Sequence, residues 1–165
     1  MSAISSWHKL RKLSKAELTL LLWAIVLLPL MALSLKFFGF RRIYFAIAKL
    51  SGGERYLSPM VEKSQGRDES KCLTKAHRIA RIVGIASQYG FYSANCLQKS
   101  LVIWWLLQRE GIETDLRIGV RKQEESLEAH AWVEYFGVVL NDRSDVRERF
   151  APFADAISPM GAKAP

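Results

Sequence analysis

The chain has 165 residues, half of them apolar, which is one domain's length with enough apolar surface for its own core. Its net charge of +8 is unevenly placed. Residues 1–55 carry nine basic and two acidic groups and residues 56–165 carry fifteen and fourteen, so the excess sits in an N-terminal arm and not on a nucleic-acid-binding body. Two cysteines, Cys72 and Cys96, exclude a disulfide framework and a closed Cys-type zinc site, and the expectation is a reducing, cytoplasmic protein without metal or cofactor.

In chain order, the first element is a helix opening at Lys15. Ser14 and Glu17 have the spacing of a capping box, and Leu13 with Leu18 that of a hydrophobic staple. Leu18 to Leu35 is uncharged over 18 residues, the lower edge of what a membrane span requires. Pro29 interrupts it, both flanks are basic, and no cleavage site of a secretory signal follows. Three placements stay open: buried against the rest of the protein or a partner, lying on a membrane surface through residues 18–35, or spanning. Phe37 to Leu50 reads as a second, basic amphipathic helix, so residues 1–50 form an N-terminal helical segment. The Gly- and Pro-bearing stretch 51–69 reads as a linker, 70–157 as the main domain and 158–165 as a disordered tail.

A helix is expected from about Glu69 to Gln88, with Cys72, Ala76, Ile79 and Val83 on its inward stripe and Gly90 ending it. A strongly apolar helix follows from Cys96, with Asn95 as N-cap, Gln98 as capping-box partner and Gly111 closing it. Thr114–Arg121, Ala129–Tyr135 and Val138–Asn141 read as strands. Helices first and strands after, without a repeat, make an α+β domain.

Cys96 would sit in the first turn of its helix, where unpaired N–H groups and the helix dipole favour a thiolate, the nucleophilic form. Alternation puts His130, Trp132 and Glu134 on one face of their strand. A three-residue loop Tyr135-Phe136-Gly137 would pair Glu134 with Val138 and set His130 opposite Asp142, whereas a two-residue Phe136-Gly137 turn would pair His130 with Arg143. In the first register Asp142 accepts the imidazole N–H and the other nitrogen is left to take the proton of Cys96. Taken singly, Cys96 reads as core, His130 as a sheet histidine and Asp142 as a turn residue; together they make a Cys-His-Asp nucleophilic site. His77 and Cys72, five apart on one helix, face poorly and read as structural.

The order of a cysteine at a helix start, a His-Ala-Trp-Val-Glu strand and an aspartate on the next strand resembles the transglutaminase-like (papain-like) superfamily, whose catalytic helix packs on a small antiparallel sheet. More narrowly, Asn95–Leu101, Trp104-Trp105-Leu106-Leu107, Gly111-Ile112-Glu113, Leu116–Lys122, Ala129–Glu134 and Leu140-Asn141-Asp142 are similar to leader peptidases of lasso-peptide biosynthesis, as are Leu13-Ser14-Lys15-Ala16-Glu17 and Phe40-Arg41-Arg42 in the front segment. That resemblance implies a cysteine peptidase that removes the leader of a ribosomal precursor before macrolactam closure by a separate asparagine-synthetase-like cyclase. It assigns Cys96 as nucleophile, His130 as base and acid, and Asp142 as its orienter. Because residues 1–50 show no strand pattern, leader recognition is expected from a separate protein. Trp132, with Trp104 or Trp105, is the expected wall of the substrate groove, core being the plain alternative for each. Two further readings stand beside the peptidase: a non-catalytic membrane-surface adaptor of the maturation complex, and an acyl-transferring transglutaminase.

Overall fold

The computed structural model describes residues 14–50, 68–123 and 126–153. Helix α1 (Lys15–Leu50) begins where its cap predicts: the Glu17 N–H donates to Ser14 Oγ at 3.2 Å and the Ser14 N–H to Glu17 Oε2 at 2.9 Å. The staple residue Leu13 lies outside the described residues. Helix α1 runs through Pro29 and breaks at Gly39, not before Phe37 as expected. With φ 72° and ψ 163°, Gly39 occupies a conformation that a side chain resists, and so Phe37 and Phe38 end the first segment instead of opening the second.

Helix α2 (Glu69–Tyr89) is capped by Asp68, whose carboxylate accepts from the Ser70 N–H, and ends at Gly90. The linker and tail expected at 51–69 and 158–165 otherwise fall outside the described residues. Helix α3 (Cys96–Arg109) carries the complete Asn95–Gln98 capping box, and Gly111 follows it with φ 67°. Past its first turn α3 is apolar all round, with Leu101, Val102, Ile103, Trp104, Leu106 and Leu107 buried. It is the central element, with α1 and α2 to one side and the sheet to the other. Leu21, Ala24, Leu27, Leu28 and Ile47 of α1 belong to the same core, and Tyr44 stacks on Trp104 with ring centroids 5.0 Å apart.

The sheet has four antiparallel strands in the order β3-β2-β1-β4: β1 (Asp115–Gln123), β2 (Ser126–Tyr135), β3 (Val138–Val139) and β4 (Ala151–Pro152). The fold is α+β. One face of β2 is buried at Ala131, Val133 and Tyr135, and the last two of these close the main core under α3. The other carries His130, Trp132 and Glu134, as the alternation predicts, and is covered by the short helix α4 (Val146–Arg149) and Phe150, which form a second small core with Trp132.

The hairpin register differs from the one on which the site was expected to depend. Glu134 pairs with Val139 and Tyr135 with Val138, across a two-residue turn with positive φ at Phe136 (44°) and Gly137 (83°). Carried on, that ladder would set Arg143 opposite His130. It goes one bond further, from the Leu140 N–H to the Val133 carbonyl at 2.9 Å, and ends there, because the Asn141 side chain accepts the Val133 N–H at 2.8 Å in place of the return bond.

Candidate active site

The early stop of β3 brings His130 and Asp142 together. The chain turns at Asn141, and His130 Nε2 contacts Asp142 Oδ2 in a short hydrogen bond. A carboxylate only accepts, so Nε2–H is the donor and Nδ1 is the nitrogen left to take a proton. The other oxygen, Asp142 Oδ1, accepts from the Arg143 N–H at 2.6 Å and from Arg149 Nη2 at 2.9 Å. Partial burial pushes the Asp142 carboxyl up, but its hydrogen bonds with His130, Arg143 and Arg149 outweigh that and hold it below the ordinary aspartate range. The imidazole stacks on Phe150, with centroids 4.8 Å apart, and Arg121 and Arg149 each lie over that same ring.

Cys96 is the first residue of α3 and is half-buried. The capping box takes up the N–H groups of Asn95 and Gln98, and among the described residues nothing accepts from the backbone N–H of Cys96. No hydrogen bond joins its thiol to His130 among the described residues. The cysteine is tied to the other two one turn further along its helix, since Ser100 Oγ donates to the Ala131 carbonyl at 2.9 Å and accepts from Asn141 Nδ2 at 2.9 Å. Ala131 follows His130 and Asn141 precedes Asp142. One buried hydroxyl thus fastens the cysteine helix, the histidine strand and the aspartate turn at a single point.

Ser100, Asn141, Arg149 and Phe150 were not singled out from sequence, and neither was Gly119. Gly119 pairs with His130 across β1 and β2, and a Cβ there would meet the Ala151 carbonyl oxygen and Trp132 Cη2, both at 2.9 Å. A glycine inside an otherwise alternating strand is the one available signal, marking a close approach. Ser100 looks like any helix serine, and Arg149 and Phe150 lie in a stretch without a readable period.

Of the three tryptophans considered for the groove, Trp105 is partly exposed under Arg109, and the other two are placed differently from the expectation. Trp104 and Trp132 are both 0 % exposed; Trp104 Nε1 donates to the Thr114 carbonyl and Trp132 Nε1 to Glu134 Oε1. Neither shows a ring face to a bound peptide, because the large apolar area that suggested contact with substrate is used by the two cores. Cys72 packs at the core margin beside Tyr135, and His77 is exposed. His77 lines a cleft of about 420 Å³ between α2 and α3, together with Arg81, Gly84, Lys99, Ile103 and Asn141. Arg81 and Lys99 make its lining basic; Lys99 lies three residues after Cys96 on α3 and Asn141 precedes Asp142 in the chain, but Cys96, His130 and Asp142 themselves do not line it.

The fold thus carries a half-buried cysteine at a helix start and an imidazole–carboxylate pair on an antiparallel sheet, the residue types from which a thiol nucleophile and its base are made. The sequence pattern of the transglutaminase-like superfamily matches residues 40–155, and the chain belongs to that superfamily, which includes cysteine peptidases and acyltransferases. No curated protein and no solved structure matches the chain.

Proposed function

We propose that this protein is a cysteine peptidase that cleaves the leader from a ribosomally made lasso-peptide precursor. The observation that carries the peptidase reading is the His130–Asp142 pair, whose chain neighbours Ala131 and Asn141 are bonded by Ser100 of the helix that begins with Cys96. Its narrower assignment is supported by the likeness of the segments around Cys96, His130 and Asp142 to lasso leader peptidases. In this reading Cys96 Sγ attacks the scissile carbonyl carbon while His130 Nδ1 takes the thiol proton. Collapse of the tetrahedral intermediate passes that proton to the leaving amine and leaves a thioester. Water then attacks the thioester, giving its proton to Nδ1, and the leader carboxylate departs as the thiol is restored. Asp142 holds the tautomer and stabilises the imidazolium, and the Cys96 N–H is one oxyanion donor. The basic cleft beside Lys99 and Asn141 receives the peptide on one side of the cut bond.

The freed amine of the core peptide would pass to a separate asparagine-synthetase-like cyclase. Residues 15–50 are helical throughout apart from Gly39, which supports leader recognition by a separate protein. Acyl transfer to an amine uses the same thioester, and the exposed apolar side of α1 favours the adaptor reading. One experiment separates all three: a leader-bearing precursor incubated with the protein, with and without the recognition partner, and followed by mass spectrometry. Leader loss abolished by Cys96→Ala and retained in Cys72→Ala is expected. Loss equal in both variants, or none while precursor binds, overturns the peptidase assignment, and an adduct with an added primary amine in place of the acid product would make the protein a transferase. Ser100→Ala should lower kcat about tenfold or more while KM changes little, since it loosens the geometry without touching substrate.

A further inference from the structure

Helix α1 has two apolar faces, and the fold uses one. Leu21, Ala24, Leu27 and Leu28, none more than 9 % exposed, pack into the core. On the opposite side Leu18, Leu22, Val26, Leu30, Leu33 and Phe37 recur every three or four residues along one line, and each is at least 50 % exposed. Trp23 and Phe38 flank the line at 55 % and 58 %. From Leu18 to Phe37 this stripe is roughly 29 Å long at the helical rise. An 18-residue window of α1 reaches a mean hydropathy of 2.5, enough for a span by composition. The core face rules that out for the folded protein, because a helix surrounded by lipid would have to withdraw Leu21, Ala24, Leu27 and Leu28 from α2 and α3.

Charge says what covers the free side. Between Lys15 and Lys49 there are five basic residues and one acidic residue, Glu17, and Glu17 is engaged by Arg81 at 2.7 Å. Lys36, Arg41, Arg42 and Lys49 are exposed, and among the described residues none of them is in an ion pair. Lys36 lies in the last turn of the stripe and the other three follow the break at Gly39, in the stretch that also exposes the ring of Phe45, with Arg41 5.9 Å from the centroid of that ring. A line of aliphatic side chains with aromatic and cationic residues at its margin is complementary to a phospholipid surface: acyl chains take the stripe and anionic headgroups take the cations.

We propose that α1 is an in-plane anchor that lies on an anionic phospholipid surface, with the Leu18–Phe37 stripe in the acyl boundary and Lys36, Arg41, Arg42 and Lys49 against lipid phosphates. The anchor is thus an outer face of the domain and not a tether, and it holds the site at the membrane. The inference stands whichever bond the site cleaves.

The test is co-sedimentation of the full chain with vesicles of phosphatidylcholine alone and of phosphatidylcholine mixed with phosphatidylglycerol. Binding to the anionic vesicles, weakened by high salt and released by alkaline carbonate, is expected. Arg41→Glu with Arg42→Glu should lower the partition coefficient at least about tenfold. Val26→Ser with Leu30→Ser should lower it comparably while the thermal midpoint and circular dichroism stay those of the parent. Binding to neither vesicle overturns the proposal. So does equal binding to both, carbonate-resistant insertion, or a stable dimer that leaves the vesicles unbound and so assigns the stripe to a second copy of the chain.

Discussion

Helices α1 and α3 are the two most apolar stretches of the chain, and they end in opposite surroundings. Every apolar side chain of α3 from Leu101 to Trp104 is buried, while α1 leaves Leu18, Leu22, Val26, Leu30 and Leu33 half or more exposed. Position makes the difference, since α3 lies between two helices and a sheet and α1 has neighbours on one side only. Apolarity therefore states that a face must be covered and does not state by what.

The comparison can be broken or sharpened by substitution. The largest effect is expected at Leu101, fully buried in α3: Leu101→Ala should cost about 3 kcal/mol, read from the urea midpoint, through lost transfer energy and a cavity that rigid neighbours do not fill. A value near zero would mean that α3 does not sit in a closed core. Next comes the charged counterpart of that core, Glu134, 1 % exposed, which accepts from Trp132 Nε1 and Arg147 Nε at 2.6 Å each and faces Arg117 at 3.3 Å. Burial pushes the Glu134 carboxyl up, but the bonds from Arg147 and Trp132 and the charge of Arg117 hold it below the ordinary glutamate range. Asp142 is lowered for similar reasons. Lowered groups contribute their full stability above their unfolded values, near pH 4, and that contribution is lost as pH falls through the folded values. Stability should therefore drop on acidification below about pH 4. Glu134→Gln should cost about 2 kcal/mol at neutral pH and flatten that acid limb, since the arginines it leaves can turn to water. The smallest effect is expected on the free side of α1, where Val26→Ser should change stability by less than about 0.5 kcal/mol. A loss as large as that at Leu101 would show that this side is covered within the folded protein.

The legible parts of the site were the local ones. Asn95 and Gln98 set the start of α3 and hence the place of Cys96, because a capping box is completed within four residues. Alternation put His130 on the face of Trp132 and Glu134 for an equally local reason. The choice between the two hairpin turns is not legible, because Phe136 takes φ 44°, unusual for a residue with a bulky side chain, so nothing in its type announces the two-residue turn. Asp142 was nevertheless assigned to the right partner. The register argument for it fails, and the pair forms because Asn141 ends the ladder. Trp104 and Trp132 were weighed as groove walls since a ring's type does not say which side of it another element will fill.

Sequence by itself determined what depends on neighbours a few residues away: the helix starts at Lys15 and Cys96, the stop at Gly90, the two faces of β2 and the apolar character of α1. Tertiary structure alone decided what depends on distant segments. It joined Ser100 to Ala131 and Asn141 across 31 and 41 residues, and it set Phe150 and Arg149 around His130 and Asp142. It also chose which side of α1 the core would take. Caps and alternation are written in backbone geometry, which repeats along the chain, whereas these contacts exist only once packing has brought their partners within reach.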